Sequence, residues 1–195
     1  MKIGIGVPSG DTMMVDTAYS ILGLFGHSSA SHQLSLYTAR ASVPSQSQNR
    51  ILWDACVEGA DAVMLIDSDM AFPPDALERL LEHDKHFVGA PYRVRQPPYD
   101  LAMRPITGDR RVPEGQTGLV EADFIASGLT YISRDVLDAV GYPWMEEKYG
   151  AHPDELVGHD VNFCRKARQE GFQVWADFDL ARRIGHIGAV QLRIP

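Results

Sequence analysis

The chain has 195 residues, 45% hydrophobic and 23% charged, which predicts one globular domain with a sizeable core. Its formal net charge of -8 argues against a broad electrostatic footprint for nucleic acid and against docking on an anionic membrane surface. The sequence has no signal-peptide pattern and no apolar run near the ~20 residues of a membrane span. Its two cysteines, Cys56 and Cys164, lie far apart in predicted helices, so we expect a cytoplasmic protein without disulfides.

Strands and helices are predicted to alternate along the first 92 residues. The opening "KIGIGV" has the β-branched and glycine pattern of a strand that ends in a loop, and apolar residues at helical spacing follow it. The predicted strands span 2–7, 32–39, 61–67 and 86–92, and the predicted helices span 12–25, 45–59 and 73–83. This rhythm predicts an α/β fold with a Rossmann-like, mostly parallel or mixed sheet flanked by helices.

The rhythm changes after residue 92. Residues 93–118 are rich in Arg, Pro and Gly, which predicts loops and short strands that cover a site. Two strands with an intervening turn are predicted at 119–133, followed by helices at 134–141 and 158–172 and a strand at 173–178. We expect one domain, 1–195, with a nucleotide-binding half at 1–92 and an acceptor-side half at 93–195.

The third predicted strand runs directly into two acids, Asp67 and Asp69, in "DAVMLIDSDMAFPPD". Ligands of such sheets bind beyond the carboxyl ends of the strands, where the loop after the first strand also lies. Two carboxylates one residue apart repel each other unless a partner neutralises them, and their oxygens suit a hard divalent cation. An Asx turn or a helix cap before Pro73 is the structural alternative.

Two later residues could complete such a site. His186 stands between glycines in "IGHIG", and an imidazole beside carboxylates favours manganese over magnesium or calcium, although a lone histidine is more often structural. Asp160 stands at the start of a predicted helix in "GHDVNF". Its carboxylate could cap that helix or act as a general base toward a hydroxyl.

The order of these motifs resembles that of GT-A glycosyltransferases, in particular family-2-like members. "MLIDSDM" resembles their metal-binding Asp-x-Asp motif, "HDVNFCRKARQEGFQVW" resembles the helix that carries the base, and "GHIG" resembles the setting of a downstream metal histidine. The resemblance covers most of the chain and implies the GT-A fold. It also implies Asp67, Asp69 and His186 as ligands of Mn²⁺ or Mg²⁺, and Asp160 as the base. His159 departs from the family, which usually has Glu there.

Further site residues follow from the resemblance. The family's nucleotide and donor contacts fall here on Pro8, Ser9, Gln48, Arg50, Ser68, Ser127 and Gly128. Acceptor or phosphate contacts are assigned to Arg93, Arg95, Trp144 and His159. Helix-surface polarity for Gln48 and Arg50, and solvated loop charge for Arg93 and Arg95, are the alternatives without a ligand.

The resemblance implies an inverting transfer of sugar from a nucleoside-diphosphate sugar, with UDP favoured, to an acceptor hydroxyl. A glycan, a lipid-linked sugar, a protein or a modified nucleic-acid base could supply that hydroxyl. One alternative is a sugar-nucleotide pyrophosphorylase, although "VPSGDTMM" lacks the basic residue that grips a triphosphate in those enzymes. The other is a sugar-nucleotide-binding module without catalysis, which His159 in place of Glu would favour.

Overall fold

The computed structural model of the protein describes residues 1–106, 115–152 and 155–188. Its helices are α1 (Val15–Ser28), α2 (Pro44–Val57), α3 (Ala76–Leu81), α4 (Arg134–Val140), α5 (His159–Gln169) and α6 (Phe178–Ala181). Its strands are β1 (Lys2–Ser9), β2 (Gln33–Arg40), β3 (Ala62–Ile66), β4 (Met70–Ala71), β5 (Phe87–Gly89), β6 (Met103–Pro105), β7 (Leu119–Ile125), β8 (Leu129–Ser133), β9 (Lys148–Tyr149), β10 (Leu156–Val157), β11 (Val174–Asp177) and β12 (Gly185–His186).

Eight strands form the central sheet in the order β2-β1-β3-β8-β5-β11-β7-β6. The pairs β1–β2, β1–β3 and β5–β11 are parallel, as the alternation of strands and helices predicts. β8 pairs antiparallel with both β3 and β5, and β7 pairs antiparallel with β11 and β6. The α/β prediction is therefore confirmed, and the sheet is mixed because the two strands at 119–133 enter it in the opposite direction.

Helices cover both faces of this sheet. One core cluster packs β1 and β3 against α1, α3 and α6, and the other packs β3 and β8 against α2, α4 and α5. Gly6 sets the distance between α2 and β1, because a Cβ there would lie 2.5 Å from Ile51 Cγ2. The glycines of "KIGIGV" thus let α2 pack closely on the sheet, which brings the start of α2 to the carboxyl end of β1.

Two parts of the predicted organisation fall partly outside the described residues. The segment 93–118 was expected to cover the site, and residues 107–114 of it are not described. In the part that is described, β6 is its only strand, and an isolated bridge joins Arg93 to Leu101. The stretch after 188, at the end of "GHIGAV", is also not described. Among the helices of the described ranges, none is long and apolar enough to cross a membrane.

Candidate active site

A cleft of about 370 Å³ lies at the carboxyl ends of β1 and β3. The loops after these two strands meet there, as predicted from the order of the parallel strands. Most of the predicted site residues line it, namely Pro8, Ser9, Gln48, Asp67, Ser68, Asp69, Arg95, Ser127, His159, Asp160 and His186. Residues more than a hundred positions apart in the sequence therefore share one cavity.

Asp67 forms part of this cleft directly after β3. Its backbone N–H donates to the Gly128 carbonyl (2.9 Å), and the Tyr92 hydroxyl donates to its Oδ2 (3.2 Å). Burial, followed by the negative charges of Asp69 and Asp160, raises the pKa of Asp67 to about 6. A cation bound in the cleft would relieve that repulsion and favour the ionised form.

Asp69 and His186 are brought together by the short antiparallel pair β4–β12. The backbone N–H of Ile187 donates to the Asp69 carbonyl (2.7 Å), and His186 Nε2 lies 3.5 Å from Asp69 Oδ1. Arg95 Nη1 lies 3.0 Å from Asp69 Oδ2. Burial alone would raise the pKa of Asp69, but His186 and Arg95 outweigh it and hold this pKa below its ordinary value. Asp69 is therefore the more readily ionised member of the acidic pair.

The His186 ring is held in one orientation. Its Nδ1 lies 2.8 Å from the Arg93 carbonyl, which can only accept, so Nδ1 carries the hydrogen and Nε2 faces Asp69. The Tyr92 ring packs edge-on against it, with ring centroids 4.8 Å apart. Although burial lowers the pKa of His186, Asp69 and the Arg93 carbonyl raise it above its ordinary value. The ring can thus be an imidazolium paired with Asp69, or a metal ligand whose Nδ1–H is fixed by a backbone carbonyl.

The donor set fits a divalent cation that takes part of its coordination from a ligand. Two carboxylates and an imidazole suit Mn²⁺ or Mg²⁺, which commonly keep positions for water and phosphate oxygens. The Tyr92 hydroxyl contacts one oxygen of Asp67, and Arg95 contacts one oxygen of Asp69. In residues 1–106, 115–152 and 155–188, no three His, Cys, Asp or Glu side chains form a ready metal cage. As they are placed here, Asp67, Asp69 and His186 therefore do not form a three-ligand cation site by themselves.

Asp160 faces Asp67 from the first turn of α5, where the helix dipole favours a carboxylate. His159 Nε2 lies 2.7 Å from Asp160 Oδ1, and His159 Nδ1 lies 4.0 Å from Glu147 Oε1. Burial lowers the pKa of His159, but the hydrogen bond to Asp160 and the two acids outweigh it and raise it. His159 is therefore a hydrogen-bond partner of Asp160.

Gln48 and Ser127 close the side of the cleft that faces α2. Gln48 is 2% exposed and donates from Nε2 to Ser127 Oγ (2.8 Å). Its Oε1 is buried without a hydrogen-bond partner among the described residues. A buried acceptor left unpaired is costly, so a donor group of a ligand would stabilise it.

Three predicted site residues place their side chains elsewhere. Arg50 lies on the exposed face of α2 and pairs with Asp54, with Nε 2.7 Å from Oδ2. Trp144 is 5% exposed and donates from Nε1 to the Leu137 carbonyl, so it is a core residue. The guanidinium of Arg93 donates to the Tyr99 carbonyl, and only the Arg93 backbone reaches His186. These contacts correct the expectation that the three side chains face the ligand.

Tyr92 was not predicted as a site residue. It ends the predicted strand 86–92 and lies against Asp67 and His186. Its position in the sequence could have identified it, because a polar aromatic residue at the carboxyl end of a parallel strand lies at the edge of the sheet where ligands bind.

No family model and no curated protein matches the chain. Among solved structures, A197 from STIV superposes with a TM-score of 0.62 at 13% identity, over 100% of this chain and 95% of that chain. TarS 1-349 of S. aureus in complex with UDP-GlcNAc superposes with a TM-score of 0.54 at 15% identity, over 92% of this chain. A second TarS 1-349 structure gives 0.50 at 14% identity over 91%. The chain spans 56% and 60% of the two TarS chains. At this level of identity the likeness concerns the fold, and the fold of this chain is GT-A.

Proposed function

We propose that this protein is a metal-dependent glycosyltransferase that moves a sugar from a nucleoside-diphosphate sugar to an acceptor hydroxyl. The observation that carries the proposal is the meeting of Asp67, Asp69, His186 and Asp160 in one cleft at the carboxyl end of the sheet. The GT-A fold and a fold neighbour that binds UDP-GlcNAc support a sugar-nucleotide donor, with UDP favoured.

The donor diphosphate is proposed to lie over Asp67 and Asp69. Asp69 and His186 would hold Mn²⁺ or Mg²⁺, with Asp67 as a further ligand, directly or through water. When bound, such a cation offsets the negative charge that develops on the leaving diphosphate. Arg95 lies close enough to Asp69 to contribute a second positive charge on the same side of the cleft.

Asp160 is proposed as the general base. His159 engages its Oδ1, and Oδ2 is proposed to accept the proton of the acceptor hydroxyl. The hydroxyl oxygen then forms a bond to the anomeric carbon while the bond from that carbon to the diphosphate breaks. If the acceptor attacks from the side opposite the diphosphate, the product has the inverted configuration, and the proton remains on Asp160 until solvent removes it.

Calorimetry with UDP tests the donor and metal sites without knowledge of the sugar. We expect the wild-type protein to bind UDP in MnCl₂ and to lose this binding in EDTA. Asp69→Asn should weaken the Mn²⁺-dependent affinity by about 10- to 100-fold because it removes a ligand charge. Asp138→Asn is the matched control, since Asp138 is an exposed partner of Arg134 on α4. UDP binding that is equal in MnCl₂ and EDTA would contradict the metal site.

Turnover of UDP-sugars tests the base. UDP release from a panel of UDP-sugars and acceptors should fall about 10²- to 10⁴-fold in Asp160→Asn while UDP affinity stays close to that of the wild type. Persistent transfer by this variant would show that another group takes the proton. UDP binding with no release from any donor by the wild type would instead identify a binding module without catalysis.

A further inference from the structure

A second cavity of about 410 Å³ lies on the outer face of α2, away from the cleft lining described above. Four of its lining residues follow helical spacing on one face of α2, and the fifth comes from the loop after α4: Gln46, Asn49, Arg50, Trp53 and Tyr142. Trp53 is 49% and Tyr142 is 62% exposed. We call Trp53 and Tyr142 the aromatic corner.

The two rings of the aromatic corner are held in a fixed geometry. Their centroids are 5.4 Å apart at an interplanar angle of 76°, and Tyr142 packs edge-on against the buried ring of Trp144 at 5.7 Å. Asn49 holds the loop after α4 against α2, because its Oδ1 accepts hydrogen bonds from the N–H groups of Trp144 and Met145 (3.0 Å each). A ligand would therefore meet rings that are already oriented, which reduces the entropy lost on binding.

Polar groups beside the rings match a neutral polyhydroxylated ligand. Gln46 is exposed beside the rings, and so is Arg50, whose Nε donates to Asp54 Oδ2 (2.7 Å). Asp54 neutralises Arg50, and the whole chain has a net charge of -8, so the surface does not attract a polyanion such as nucleic acid. Flat apolar rings flanked by hydrogen-bonding side chains suit the two kinds of surface that a sugar ring presents.

The loop that carries Tyr142 also leads to the proposed base. Glu147 is five positions after Tyr142 in the sequence, so their Cα atoms lie at most about 18 Å apart. Glu147 is next to His159, which contacts Asp160. A ligand that extends from the aromatic corner along this loop would reach the neighbourhood of Asp160.

We propose that the aromatic corner is a subsite for a neutral oligosaccharide whose far end presents the acceptor hydroxyl to Asp160. The acceptor role rests on the glycosyltransferase function proposed above. The subsite itself rests only on the aromatic corner and on the polar side chains beside it, Gln46, Asn49 and Arg50.

Binding of neutral hexasaccharides tests the subsite. Chitohexaose, cellohexaose and maltohexaose are titrated by calorimetry and by tryptophan fluorescence in the absence of UDP and metal. We expect at least one of them to bind, and Trp53→Ala to weaken it about tenfold, whereas Trp53→Phe should keep affinity within about threefold. Tyr19→Ala, which removes an exposed aromatic ring from α1, should bind like the wild type. Thermal unfolding of each variant checks that the fold is intact.

The outcomes separate this proposal from the proposed function. Asp160→Asn should bind the hexasaccharide like the wild type, since the base is not needed for binding. If UDP does not bind but Trp53-dependent hexasaccharide binding is found, the subsite stands and the donor assignment fails. No hexasaccharide binding, binding that Trp53→Ala leaves unchanged, or Trp53-dependent binding of single-stranded oligothymidylate in place of the sugars would overturn the subsite.

Discussion

Gly128 controls how closely Tyr92 approaches Asp67 on the floor of the cleft. A Cβ at position 128 would lie 2.6 Å from Tyr92 Cε1, 2.7 Å from the Tyr92 hydroxyl and 2.8 Å from Asp67 Oδ2. No such contact is tolerated without movement of both side chains, and the hydrogen bond between them would be lost. The site therefore requires glycine at position 128, because there is no room for a Cβ between Tyr92 and Asp67.

We expect Gly128→Ala to destabilise the protein by about 1–3 kcal/mol, as overpacking does, and to abolish Mn²⁺-dependent UDP binding. Urea unfolding gives the free energy of unfolding, and calorimetry gives the affinity. Gly26→Ala is the control: nothing lies within 4 Å of a Cβ there, and alanine favours a helix. Native-like UDP affinity in Gly128→Ala would mean that the Tyr92–Asp67 contact does not matter to the donor site.

Residues at strand ends were easier to predict than residues on a helix or in a loop. Asp67 and Asp69 follow β3 directly, and the edge where parallel strands end is known once the strands are known. Arg50 depends on the rotation of α2 about its axis, which places Gln48 in the cleft and Arg50 outside it. Trp144 belongs to an irregular loop, where periodicity gives no information about burial.

At the scale of elements, Asp177 joins the end of β11 to α3 and α6. It is fully buried, caps α6 by accepting from the N–H groups of Asp179 and Leu180, and accepts from Arg79 Nε and His83 Nε2, both at 2.7 Å. These contacts hold the helices that cover one face of the sheet. α6 is followed within a few residues by β12, which carries His186.

We expect Asp177→Asn to lower the free energy of unfolding by about 2 kcal/mol at pH 5, because hydrogen bonds to a charged group are lost. Burial alone would raise the pKa of Asp177, but Arg79, His83 and the backbone N–H of Leu180 hold it below its ordinary value of 3.8. A lowered folded pKa stabilises the protein above the unfolded value, and this contribution disappears as the pH falls through the folded pKa.

The difference between the wild type and Asp177→Asn should therefore shrink as the pH falls below 3.8. Urea unfolding from pH 5 downward measures it. Asp138→Asn serves as the control at each pH, since its exposed pair with Arg134 should contribute no more than about 1 kcal/mol. A difference that stays constant with pH would show that the charge of Asp177 does not contribute.

The order of the strands could not be obtained from the sequence. Its local patterns indicate two strands at 119–133, and the structure has β7 and β8 there. Adjacent strands with a short turn often pair with each other, yet β8 lies between β3 and β5 while β7 lies beyond β11. Periodicity reports the conformation and burial of a segment, whereas pairing depends on contacts between distant segments.

At the scale of the whole molecule, the two predicted halves interleave within one sheet. β8, from the half at 93–195, separates β3 from β5 of the half at 1–92, and β11 pairs with the other edge of β5. The cleft is shared in the same way, since Asp69 comes from one half and His186 from the other. Neither half has a complete core or a complete site of its own, which favours the single domain that the length predicts.

We therefore expect the chain to unfold as one cooperative unit and the fragment 1–92 to remain unfolded, because β3 and β5 would lose the strand between them. Trp53 lies on α2 in the first half, and Trp144 and Trp175 lie in the second, so Trp53→Phe leaves emission from the second half alone and the double variant Trp144→Phe/Trp175→Phe leaves it from the first half alone. Urea transitions followed by fluorescence in the two variants should coincide with those followed by far-ultraviolet circular dichroism. Separate transitions, or a cooperative transition of the isolated fragment, would mean that the shared sheet does not couple the halves, since a half would then bury enough surface to fold without the strands of the other.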